Sequence, residues 1–103
     1  MSDLPVICAA VRIFGCDKQI DIAIEEMSEL THALLKARRA GFPCRGKEDP
    51  EGYQDHIREE MADVGIVLDQ LRFIFGDDGP WRRKKIERLE GRLKDAQDDN
   101  CTG

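Results

Sequence analysis

Glu25-Glu26-Met27-Ser28-Glu29-Leu30 and Glu59-Glu60-Met61-Ala62-Asp63-Val64 are two acidic stretches set among apolar residues that recur every three or four positions. Around the first run Ile20, Ala23, Ile24, Met27, Leu30, Thr31 and Leu34; around the second run Ile57, Met61, Val64, Leu68, Leu71 and Phe75. That period predicts two helices. Residues three apart share a helix face, so Glu26 projects with Glu29, and Glu60 with Asp63. If the helices lie side by side, four carboxylates converge. Like charges at that range repel unless a cation or protons neutralise them.

Working outward, the first of these helices begins near a cap at Asp17 and reaches about Ala40. Glu26 and Glu29 lie about 100° and 160° round from Met27, on a flank shared with Ile22 and Ala33. A flank of that composition is half-buried rather than fully solvated. The second helix spans Tyr53 to Phe75. Ile66, Val67 and Ile74 carry its apolar character well round the cylinder, so it needs more than one neighbour. Before them, Pro5 suits a first helical turn capped by Ser2 or Asp3, and Val6, Ala9, Ala10 and Ile13 form a short amphipathic helix ending near Gly15. Gly41 to Gly52 is a loop carrying Arg45 and Lys47. Gly76-Asp77-Asp78-Gly79-Pro80 is a turn, followed by a helix from Trp81 to about Ala96 with Ile86, Leu89 and Leu93 on one side. Residues 98–103 are a polar, frayed tail. No strand, repeat or glycine-rich phosphate loop is present, and the fold class expected is all-α, one domain over residues 1–103.

Length and charge narrow the function. A chain of 103 residues buries only about two-thirds of its unfolded surface, so self-association is a natural way to finish the core. The net charge of −5, with charged residues dispersed along the chain, argues against a nucleic-acid polymer as partner. No apolar run is long enough for a membrane span, and no basic segment precedes the apolar start as in a secretory signal. Cys8, Cys16, Cys44 and Cys101 form no C-x-x-C pair, which speaks against zinc and for reduced thiols in the cytoplasm.

A single E-E-x-x-E run is ordinary decoration of a solvated helix. Two runs with matching spacing, each bracketed by core positions, make a metal site a serious alternative. Carboxylates without a required His or Cys suit Mg²⁺ or Mn²⁺, which share such ligands with substrate phosphates. Glu29-Leu30-Thr31-His32 imitates the Glu-x-x-His of di-iron bundles, but Asp63 stands where a second His would be needed and His56 precedes its cluster.

The two motifs resemble the E-E-x-x-E and E-x-x-D signature of the MazG-like all-α nucleoside triphosphate pyrophosphohydrolases, over roughly Gln19 to Arg92. The resemblance implies a four-helix bundle completed by homo-oligomerisation, as a homodimer or a dimer of dimers. It also implies Mg²⁺-dependent cleavage of a nucleoside triphosphate between the α- and β-phosphates. Carried over position by position, Glu26, Glu29, Glu60 and Asp63 are metal ligands, and Glu25 and Glu59 are the further acids of each doublet, candidates for activating water. Gln19, two turns before Glu26, matches a substrate-contacting polar residue, while Lys85 and Arg92 are candidates for the phosphate chain. The competing readings are a non-enzymatic helical dimer with a vestigial site, acting as a regulator, and a phosphoribosyl-ATP pyrophosphohydrolase.

Overall fold

The computed structural model describes residues 3–42 and 48–102, and these contain helices joined by glycine-centred corners, with no strand among them. Helix α1, Leu4–Phe14, has Pro5 in its first turn, where the missing N–H costs no hydrogen bond. Gly15 (φ 94°) closes α1 by donating its N–H to the Val11 carbonyl and starts α2, Cys16–Arg39, by accepting from the Gln19 N–H. A side chain there would be strained. Gly15, not Asp17, is therefore the boundary residue. Asp17 lies inside the first turn, where a negative charge suits the helix dipole.

Helix α2 ends in a Schellman arrangement. The Phe42 N–H reaches the Ala37 carbonyl and the Gly41 N–H the Arg38 carbonyl, with Gly41 in the left-handed region at φ 77°. Helix α3 spans Tyr53–Phe75, the range its periodicity predicts. The Asp49 carboxylate accepts the N–H groups of Tyr53 (2.9 Å) and Gln54 (2.7 Å), satisfying donors that a helix start leaves open. Arg45 and Lys47, and the candidate cap Ser2, fall outside the described residues.

Helices α2 and α3 run antiparallel. Phe42, just beyond the end of α2, meets Tyr53 at the start of α3 with ring centroids 6.0 Å apart. At the other end the Arg12 guanidinium of α1 lies 5.4 Å over the Phe73 ring. Helix α1 packs across both. The α2 face turned to α3 consists of Gln19, Ala23, Ala33 and Ala37, all buried, with Glu26 and Leu30 half-buried between them. Their alternating spacing of four and three is that of a coiled-coil seam. Ile7, Val11 and Val67 complete the buried apolar set.

This seam lies about a quarter of a turn from the apolar stripe read in the sequence, towards the acidic flank. Alanines let the two backbones approach closely, whereas Ile24, Met27 and Leu34, the bulkier residues of that stripe, stay exposed. Enlarging Ala33 to Leu is expected to overfill the seam and destabilise the fold by about 1–3 kcal/mol. Urea unfolding of the Ala33→Leu variant measures this; an unchanged midpoint would show that the alanine seam is loosely packed.

Arg72 fastens the corner after α3, donating to Asp78 (2.8 Å) and Asp69 (2.8 Å), and Gly76 adopts φ 105°. Helix α4 then runs from Gly79 to Thr102, through residues read as a frayed tail. It packs against none of α1, α2 and α3. Within one chain α1, α2 and α3 pack together and α4 projects from them, so a single chain does not by itself form the four-helix bundle that the resemblance implies. The chain measures 57 × 39 × 27 Å with a radius of gyration of 18.1 Å, against roughly 13 Å for a compact chain of this length.

Candidate metal centre

The seam that pairs α2 with α3 also brings their acids together. Glu26 occupies the same face of α2 as Ala23, Leu30 and Ala33, and Glu60 the same face of α3 as Val67, so neither carboxylate can turn fully to water. Glu26, Glu60 and Asp63 each offer a carboxylate oxygen, and the three oxygens lie within 4.8 Å of one another. Glu60 is only 8% exposed, while Glu26 and Asp63 are half-buried. One oxygen of Glu26 and one of Glu60 are buried with no hydrogen-bond partner. Orphaned anionic oxygens are costly, and a divalent cation held through oxygen satisfies them. The donor set is hard and carboxylate-only, fitting Mg²⁺ or Mn²⁺ better than zinc.

The remaining expected residues are distributed unevenly. Glu29 is exposed and stands outside the group of three, although it is close enough to act on Glu26. Glu25 and Glu59 are exposed on α2 and α3. Gln19 is 3% exposed and forms part of the seam. Lys85 and Arg92 are exposed on α4, so within one chain they are separated from the acids by the lack of packing between α4 and the other helices. His32 is exposed, and Cys8 and Cys16 carry free thiols.

In the sequence His56 figures only as a misplaced partner for a di-iron motif, and Gln70 is not singled out. His56 lies one turn before Glu60, with Nε2 3.4 Å from the Glu60 carboxylate. Its i, i+4 spacing from Glu60 is the signal in the sequence that places it there. Gln70, seven residues after Asp63, is 6% exposed and its side-chain carbonyl is buried without a partner. A glutamine in an apolar helix gives no sign of which face is buried until the seam is known.

Burial is the largest influence on Glu26 and raises its pKa; the neighbouring Asp63, Glu29, Glu60 and Glu25 raise it further, in that order. A carboxyl whose pKa is raised on folding adds no penalty below the ordinary glutamate range, where it is protonated in both states. The penalty grows as pH climbs through the window up to the raised folded value and is complete above it. Metal-free protein is therefore expected to lose stability across that window as pH rises, and Glu26→Gln is expected to flatten this loss. Melting temperatures at stepped pH, with chelator, read it. An identical slope in wild type and Glu26→Gln would contradict the assignment.

No family model, curated protein or solved structure matches this chain. No helix among the described residues is long and apolar enough to cross a membrane.

Proposed function

We propose that the chain is an Mg²⁺-dependent nucleoside triphosphate pyrophosphohydrolase that works as a homodimer or dimer of dimers. The observation that carries this reading is the carboxylate trio of Glu26, Glu60 and Asp63, two of whose buried oxygens lack partners. A divalent cation bound there supplies Lewis acidity and positive charge for a phosphate chain. The chain's own residues do the rest. Glu26, Glu60 and Asp63 hold the cation, while Glu29 stands at the exposed rim as a further ligand for a second cation or for water. Glu25 and Glu59, exposed and each preceding a member of the trio in sequence, are the carboxylates we assign to accept a proton from the attacking water. Water adds at the α-phosphorus, the bond to the bridging oxygen breaks, and nucleoside monophosphate and pyrophosphate leave.

Exposed apolar side chains support the same reading from another side. Ile24, Leu34, Leu35, Met61 and Phe73 are exposed on α2 and α3, and no large side chain among the described residues is fully buried. An apolar surface of that extent calls for a partner. A second copy could also carry Lys85 and Arg92 to the phosphate chain, which a single copy does not do. Free thiols at Cys8 and Cys16 suit a cytoplasmic role in clearing nucleotide pools.

The same exposed faces favour a second reading, a non-catalytic helical dimer that binds a cation without turnover. Pyrophosphate release from a panel of ribo- and deoxyribonucleoside triphosphates, common and modified, separates the two. Release with Mg²⁺ and none with chelator is expected. Cation binding with no release from any triphosphate would leave the interaction protein standing and end the hydrolase.

A further inference from the structure

Helix α4 is placed in a way that a single chain does not stabilise. It is 24 residues long, packs against no other helix, and contains Gly79 and Gly91. Helices in water draw most of their stability from packing an amphipathic face. Helix α4 has such a face: Ile86, Leu89, Leu93 and Ala96 alternate by three and four, and all four are exposed. Its charges also oppose its own dipole. Arg82, Arg83, Lys84 and Lys85 crowd the N-terminal end, where the helix is already positive, and Asp95, Asp98 and Asp99 lie towards the negative C-terminal end. The first turn has no acid and the last turn no base. A lone helix is weakened by that order.

An antiparallel copy of the same helix turns each defect into a fit. The basic end of one α4 then lies beside the acidic, dipole-negative end of the other, and both apolar faces meet. A parallel copy would set four cations against four cations. We propose that α4 is a self-association element that pairs antiparallel with α4 of a second copy of this chain. The pairing specifies one contact within the self-association suggested above and does not depend on catalysis, so it is tested without turnover.

Two charge-reversed full-length variants test it by sedimentation equilibrium and circular dichroism. One is Arg82→Glu with Arg83→Glu, Lys84→Glu and Lys85→Glu, making α4 acidic at both ends; the other is Asp95→Lys with Asp98→Lys, making it basic at both ends. Each alone is expected to weaken self-association about tenfold or more, and an equimolar mixture to restore it. Orientation is read by cross-linking in a background where Cys8, Cys16, Cys44 and Cys101 are Ser. Ile86→Cys mixed with Ala96→Cys should form an intermolecular disulfide that Ile86→Cys alone does not. A wild-type chain that stays monomeric at tens of micromolar overturns the proposal. So does association that neither variant alters, or cross-linking of Ile86→Cys to itself. Persistent association without the 86–96 disulfide would assign α4 to the α2–α3 face of the second copy instead, and equally overturns it.

Discussion

Replacing Glu60 or Asp63 by Ala is expected to abolish pyrophosphate release, with a loss of at least about 100-fold, or ~2.7 kcal/mol of transition-state stabilisation. The size follows from the site. Three carboxylates within 4.8 Å leave no spare ligand inside the cluster, so losing one removes both a bond to the cation and part of the charge that attracts it. Glu60 is the more informative position. It is 8% exposed and its partnerless oxygen is buried between the helices, so truncation also relieves a buried charge and should not unfold the protein. Far-ultraviolet circular dichroism of both variants should match wild type. Glu29→Ala, outside the trio, is expected to cost less. Full activity in Glu60→Ala with its helical signal intact would remove the trio from the chemistry.

Mg²⁺ or Mn²⁺ is expected to raise the melting temperature substantially. At about 100 times its dissociation constant a ligand bound only by the folded state adds ~2.7 kcal/mol, which for a chain of this size corresponds to roughly 10–20 °C. Glu26→Gln is expected to raise the melting temperature of chelator-treated protein and to shrink the cation-induced shift. Both follow from one cause: the raised pKa of Glu26 reflects burial and crowding by like charges, and a cation relieves what the neutral amide has already removed. The shift should also fade as pH falls towards the ordinary glutamate range, because protons then compete for the same oxygens. Equal melting curves with and without either cation at neutral pH would dismiss the centre.

The Arg72 corner behaves oppositely with pH. Hydrogen bonding from Arg72 holds the Asp78 carboxyl below its usual range, so its contribution is present above that range and is lost only as pH falls through the lowered value. The pair is exposed, which keeps its effect small. Acid loss of this corner lies below the ordinary carboxylate range and the crowding at Glu26 above it, so the two occupy different windows.

The sequence by itself determined the helical class, the span Tyr53–Phe75, the proline start of α1, the glycine ends of the helices and the acidic pairs worth watching. These are local matters: period, caps and breakers act within a turn or two of chain, so they are written in neighbouring residues. The tertiary structure alone decided which side of α2 meets α3. Alanines at 23, 33 and 37 permit a closer approach than Ile24, Met27 and Leu34 allow, and no rule of hydrophobic period weighs closeness against bulk. That choice of face put Glu26 beside Glu60 and Asp63, left Glu29 exposed outside the trio, and buried Gln19 and Gln70. It also left α4 projecting, since a helix can be read from its own residues but its partner cannot.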